Sequence, residues 1–307
     1  MFVTILGLLV VIGLMALLWR GIQAFWMWLG RGESVRRARE SELVSDEVKQ
    51  ALAKIDAYQA ARVLGKEHEG VPPRLSHEHV RELLSAERVV RDNYLDNLRI
   101  GMFQVVMLFF IGSVLGLGLE QVWMWFTRHE TQMRFGLVWG PFSPLYGVGA
   151  TLLTLITFHM RKHKAALWQV FVVSVVLGGA LEQVTGWGMQ AVMGAVSWDY
   201  TYVPGSITKW VAAPFLVFWG IMGVVWYHFV MPALLYGIGE ATTRRQVIFV
   251  TLLAVYLGLD IFMTLACFAR RGERERGIPP ENAFEVWVDE HYSDQFMAHR
   301  FQNMAFQ

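Results

Sequence analysis

The chain has 307 residues, 54% of them hydrophobic and 14% aromatic, with 17% charged residues and a formal net charge of +1. That balance reads as an integral membrane protein and leaves no basic surplus to neutralise phosphates, so the lipid bilayer is an expected partner and nucleic acid is not. Cys267 is the sole cysteine, which excludes an intrachain disulfide and a thiolate metal cluster.

Residues 2–19 are apolar and uncharged, long enough to approach a membrane span. No basic region precedes them and no small-residue cleavage site follows, so they read as a retained anchor over 1–30 and not as a signal peptide. Arg20, Trp26 and Trp28 suit its interfacial end. Charge then concentrates in 31–100, which reads as a cytoplasmic helical hairpin. Ser45-Asp46-Glu47 is a helix start, with Val48, Leu52 and Ile55 on one face and Gly65 as the stop. Val71-Pro72-Pro73 breaks the chain. Ser76 caps a second helix carrying Val80, Leu84, Val90, Tyr94 and Leu98, which is expected to run straight into the next span.

Five apolar stretches follow, near 102–126, 143–160, 165–190, 210–236 and 246–268. They form a core over 101–268, followed by a tail over 269–307. The expected fold is an all-α polytopic membrane protein of about six transmembrane helices plus the hairpin.

One phrase occurs twice. Leu119-Glu120-Gln121-Val122 returns 62 residues later as Leu181-Glu182-Gln183-Val184, and Leu115, Gly116 and Phe109 return as Leu177, Gly178 and Phe171. The copies lie in the first and third core spans, an even number apart, so the implied repeat is a parallel one of two helices per half. Each copy sets a carboxylate in an apolar span. A central acidic residue costs roughly 2.5–3.5 kcal/mol on insertion scales, which marks it as a functional candidate. Gly112, Gly116 and Glu120 recur every four residues, as do Ser174, Gly178, Glu182 and Gly186, so each Glu shares a face with the small residues that let helices approach closely. The bland alternative is a protonated carboxyl that glues two helices through a hydrogen bond. Gln121 and Gln183 are natural neighbours for either role. Asp260, mid-span in the last helix, is a third carboxylate without a repeat mate; His228 and His159 are its expected partners.

Basic loops set the orientation. Arg161-Lys162-His163-Lys164 and Arg244-Arg245 are expected in the cytoplasm with the hairpin, and both termini outside. Arg270, Arg271, Arg274 and Arg276 run against that rule. The outer loops 127–142 and 191–209 then hang over the two Glu residues. They are rich in Gly, Pro and aromatics, including Trp139, Pro141, Tyr146, Trp198, Asp199 and Tyr200. Backbone of that kind survives near membrane depth only when buried in protein or lining a cavity, which favours an outer vestibule over a plain aromatic belt.

Glu67-His68-Glu69 and His77-Glu78-His79 flank the Pro pair, but exposed His and Glu near a turn read as solvated surface, and no metal or cofactor is expected. The chain has no Gly-x-x-x-x-Gly-Lys-Ser/Thr phosphate loop, no Gly-x-Ser-x-Gly elbow and no His-Glu-x-x-His pair, so it carries no ATPase motif of its own.

From about residue 105 onward the chain resembles the bacterial ABC-transporter type IV permease family, the CmpB-like membrane proteins. The likeness rests on the Gly-rich helix Gly112 to Glu120 and the Gly-x-Leu-x-Gly-Pro-x-x-Pro-x-Tyr-Gly loop from Gly136 to Gly147. It continues through the second Glu helix into Trp198-Asp199-Tyr200, and through the tail from Asp289-Glu290-His291-Tyr292 to Arg300-Phe301-Gln302-Asn303-Met304. The family's Asn-Arg before the first loop glycine is here Arg134-Phe135. The resemblance implies a transport permease of the bacterial cytoplasmic membrane. A separate ATPase would act on the loops near 161–164 and 238–245 or on the hairpin 31–100. Two other readings stand beside it. One is an intramembrane enzyme acting on an isoprenoid or lipid, from a short likeness of Glu182, Gly186, Gly194 and Trp198-Asp199-Tyr200 to carotenoid hydratases. The other is an assembly scaffold.

Overall fold

The computed structural model describes residues 20–21, 24–29, 45–129 and 132–306. The apolar run 2–19 and the start of the charged segment lie outside the described residues. Two compact units emerge, one of 1–104 with 232–249, the other of 105–231 with 250–307.

In the first unit, helices α1 (Asp46–Leu64) and α2 (His77–Asn97) form a hairpin. Both starts follow from capping. The Ser45 side chain accepts the Val48 N–H at 3.4 Å, and Ser76 forms a capping box with His79. Gly65 ends α1 at φ +63°, a conformation that glycine adopts without strain. Ala51 and Ile55 of α1 bury against Ala86 of α2, flanked by Leu83, Val89 and Val90. Val80 and Leu84, expected on the packing face, are 41% and 58% exposed; the buried stripe runs one position further round. The expected continuous helix into the next span is also broken. Leu98 is extended (φ −65°, ψ 135°) and buried. Gln104 then fixes a fresh helix start, accepting the Gly101 N–H and donating to the Gly239 carbonyl, both at 2.8 Å. A helical stretch at 24–29 joins this unit through Trp26 Nε1 to Gly237 O (3.4 Å) and Thr243 Oγ1 to Leu29 O (2.9 Å).

The second unit is built on α3 (Met102–Arg128), α4 (Pro144–Lys162), α5 (Leu167–Met193), α6 (Ala213–Val225) and α8 (Arg244–Glu275). A π-turn, Trp226–Val230, links α6 to α7 (Met231–Ile238). Pro232 accounts for it: a proline lacks the N–H that would bond the residue-228 carbonyl, and its ring crowds that carbonyl, so the preceding turn widens.

Among the described residues four helices are long and apolar enough to cross a membrane: Met102–Phe126, Leu167–Met193, Ala213–Ile238 and Arg244–Glu275. Four of the expected spans therefore form as long apolar helices. The expected span at 143–160 forms a helix but falls outside that set, because Thr151, Thr154, Thr157 and two glycines dilute its apolar character.

A short tail closes one end of this unit. Helices α9 (Ala283–His291) and α10 (Asp294–Arg300) follow α8, and β2 (Ala305–Phe306) pairs antiparallel with β1 (Ala195–Val196), which follows α5. Arg270 is 3% exposed and holds Asp289 at 2.6 Å, while Arg274 reaches Asp294 at 2.6 Å. Two of the four arginines that run against the orientation rule, Arg270 and Arg274, are thus the anchors of a folded cap.

Candidate functional site

The two Glu helices solve one packing problem with different neighbours. On α3, a side chain at Gly112 would collide with Ala150, and one at Gly116 with the Tyr146 ring of α4. On α5, Gly178 is covered by the Trp219 ring of α6 and Gly186 by the Trp210 ring. In each copy a glycine one turn before the Glu makes a notch, an aromatic ring from a later segment fills it, and the ring's polar atom faces the carboxylate. The opposite face of α3 shows Leu115, Leu119 and Val122 to the outside, and that of α5 shows Val176 and Val184.

The charge is handled differently. The Glu120 side chain is 20% exposed and forms an ion pair with Arg134, with the Tyr146 phenol beside it. Glu182 is 9% exposed and accepts one hydrogen bond from Trp219 Nε1 at 3.1 Å; its other carboxylate oxygen, Oε2, is buried without a partner. Trp210 Nε1, on the ring over Gly186, is likewise buried and unpartnered. Tyr200 completes the series. Its ring stacks on Phe215 (4.5 Å, 14°), and burial, then the Glu182 carboxylate, push its phenol above its ordinary range. Tyr146 lies in the electrostatic reach of Glu120, Arg134 and Tyr200. The polar neighbours thus form two groups, Arg134, Glu120 and Tyr146 at the first Glu helix and Glu182 with Trp219 at the second, with the Tyr200 phenol feeling the charge of Glu182.

Gln121 and Gln183 turn instead to the outer loops, Gln121 Nε2 donating to Gln132 O and Gln183 Oε1 accepting from Thr208 Oγ1 at 2.8 Å. Asp199 is exposed and accepts from the Thr201 N–H at 2.8 Å; hydrogen bonds from Thr201 hold its carboxyl below the usual carboxylate range. This is a local turn device. Trp198 Nε1 donates to Trp210 O at 3.1 Å, bracing the second loop. Pro141 is exposed at the tip of the first.

Asp260 does not meet His228 or His159, both of which are exposed. It is fully buried and accepts the backbone N–H groups of Trp139 (2.9 Å) and Gly140 (3.2 Å). The sequence reading missed its counterpart, Arg300. That side chain donates to the Leu137 carbonyl at 3.0 Å and to the Gly140 carbonyl, and lies 3.9 Å over the Phe135 ring. Donors and acceptors of one loop are thus taken by opposite charges from two distant segments, which satisfies backbone that no helix or strand could. Trp139 Nε1 adds a 2.7 Å bond to Tyr292. Only family likeness at the tail hinted at Arg300. Among the described residues no three His, Cys, Asp or Glu side chains converge as metal ligands.

A bundle of long apolar helices with carboxylates on its packing faces and a polar-stitched cap defines a helical integral membrane protein of the transporter-like class. The sequence model of the family described as "Putative ABC-transporter type IV" matches residues 107–265, just over half of the chain, and the protein belongs to that family. The match covers both Glu helices and Asp260. No curated protein and no solved structure matches.

Proposed function

We propose that the protein is a permease component whose coupling site is the pair Glu120 and Glu182, set under the aromatic outer loops of a six-span bundle with a parallel two-helix repeat. The single observation that carries this reading is the notch shared by the two copies: a glycine one turn before each Glu is filled by a ring whose polar atom lies beside the carboxylate, Tyr146 at Glu120 and Trp219 at Glu182. Glu182 Oε2 supplies an open acceptor in the second copy.

The span count has support beyond composition. The loop after α3 and the strand after α5 both bind the same tail: Met133 N–H donates to Gln302 Oε1 (3.1 Å), and Ala195 pairs with Phe306. These contacts support a reading in which the C-terminal ends of α3 and α5 share a face and α4 returns across the bundle. Its 19 residues extend about 28 Å, close to the roughly 30 Å of a bilayer core. The sixth span is read from sequence alone, in the apolar run 2–19 outside the described residues. The hairpin 31–100 and the loops near 161–164 and 238–245 face the cytoplasm, where an ATPase subunit docks, since this chain has no phosphate loop.

Proton flux tests the site without knowledge of the substrate. Protein reconstituted in liposomes with an internal pH-sensitive dye should dissipate an imposed pH gradient. Glu182→Gln and Glu120→Gln should each slow it at least about tenfold, the scale of a lost proton-transfer group. Equal rates for the wild type and both variants would remove the reading.

A further inference from the structure

At the opposite end of α4 and α5 from the cap, the turn that joins them borders an open groove of about 390 Å³. His159, His163 and Gln169 give it polar walls; Met160, Trp168 and Val172 give it apolar ones. The two histidine rings lie 4.2 Å apart, and His163 Nδ1 is 2.9 Å from the His159 carbonyl. The turn beside it carries four consecutive basic or imidazole residues, Arg161 to Lys164, with Lys162 Nζ 4.8 Å over the Phe158 ring, whereas the chain holds no Asp or Glu anywhere from 131 to 181. None of the lining residues is acidic.

The groove is graded along the helix axis. Its polar end lies at the turn. Its apolar end continues into Val172 and Val176, which are 48% and 65% exposed on the outer face of a candidate span. Trp168, 68% exposed, stands where the two meet, the depth that tryptophan favours in a bilayer. A free anion would be served by the basic turn alone and has no use for the apolar wall. A lipid uses both parts.

Lys164 adds a separate clue. It closes α4 at φ +52°, the left-handed position where glycine is favoured, with Ala165 N–H returning to Met160 O at 3.0 Å. The chain accepts backbone strain there and keeps a cation in the turn between His163 and Ala165 of the groove.

We propose that this turn binds one anionic phospholipid, its phosphate held by Lys162, Lys164, His159 and His163 and its acyl chain lying along Val172 and Val176. Basic pockets between membrane helices bind anionic head groups by the same chemistry. The proposal is independent of the paired-carboxylate site, which lies at the other end of α5.

The test uses the full chain in a nonionic detergent, with the melting temperature read against added phosphatidylglycerol, phosphatidylcholine or inorganic phosphate. Phosphatidylglycerol should raise it in a saturable way, and the other two should leave it unchanged. The Lys162→Gln/Lys164→Gly double variant should shift half-saturation at least about tenfold upward, since each basic residue near an anionic head group contributes to its attraction. In detergent alone that variant should melt at or above the wild type, because glycine relieves the strain at 164. Equal stabilisation by phosphatidylcholine, reproduction of the effect by phosphate, or unchanged half-saturation in the variant would each overturn the proposal.

Discussion

Glu120 and Glu182 stand in the same four-residue phrase, one turn after the same notch glycine, yet they are treated as different chemical groups. Glu120 lies near the rim and carries its own cation, Arg134. Glu182 lies deeper and meets a neutral indole donor; among the described residues it has no ion pair, and one of its oxygens is left over. Local sequence therefore decides the face on which a carboxylate sits, and the segments that return to cover it decide its charge balance. Within the proposed pair, the carboxylate with a cation is the braced member. The one with only a neutral donor keeps capacity for a proton or a ligand, because nothing in its surroundings uses its full set of lone pairs.

Four sets of substitutions break or sharpen this contrast. The largest effect belongs to the notches. Gly178→Ala should cost about 2–3 kcal/mol in thermal unfolding, because the new methyl overlaps the Trp219 ring, and Gly116→Ala should behave alike against Tyr146. Gly188→Ala, on the same helix with open space around it, should be neutral or slightly stabilising. Equal costs at 178 and 188 would mean that Trp219 does not fill the notch.

The cap that braces both Glu loops comes next. Asp289→Asn should cost about 2 kcal/mol, since it deprives the buried Arg270 of its bidentate partner. The Arg270 guanidinium, with Arg274, holds the Asp289 carboxyl below its usual range. A depressed folded value places the stabilisation above the unfolded value of roughly 3.9 and removes it as pH falls through the lower folded one. Amide hydrogen exchange over 283–306 should therefore stay slow down to about pH 4 and speed up below that in the wild type. In Asp289→Asn this acid limb should be absent.

Arg134→Gln should cost about 1–2 kcal/mol by leaving Glu120 without its cation, and Glu120→Gln on the same chain should recover much of it. A double-mutant cycle with no coupling would demote the pair to a surface contact. The smallest effect is expected at Glu182→Gln, under about 1 kcal/mol, because the amide oxygen still accepts from Trp219 and no cation is stranded. A loss at Glu182→Gln larger than at Glu120→Gln would reverse the assignment of brace and open site.

Much of this was legible in the residues. Ser45, Gly65 and Ser76 mark helix ends because capping is local, and the structure places caps at those three positions. Spacing by four put Glu182 on the covered face of its helix, because helix geometry alone sets that. The partners were not legible. Trp219 and Arg134 reach the carboxylates across 37 and 14 residues, and nothing in the local pattern selects them over other aromatics and arginines. Asp260 was misassigned to histidines for the same reason. Its true partners are backbone N–H groups 120 and 121 residues away, and every residue except proline carries such a donor. Val80 and Leu84 show the converse: apolar residues at helical spacing that the structure leaves exposed.

The first outer loop depends on chain that is synthesised long after it. Trp139 and Gly140 leave the ribosome well before Asp260, and Arg300 follows 160 residues behind the carbonyl it binds. During translation the early helices can enter the bilayer while this loop still exposes its amides and carbonyls to water. Its final shape is a terminal step of biogenesis, so a nascent chain arrested before residue 260 should already be inserted and remain open to protease at 135–142.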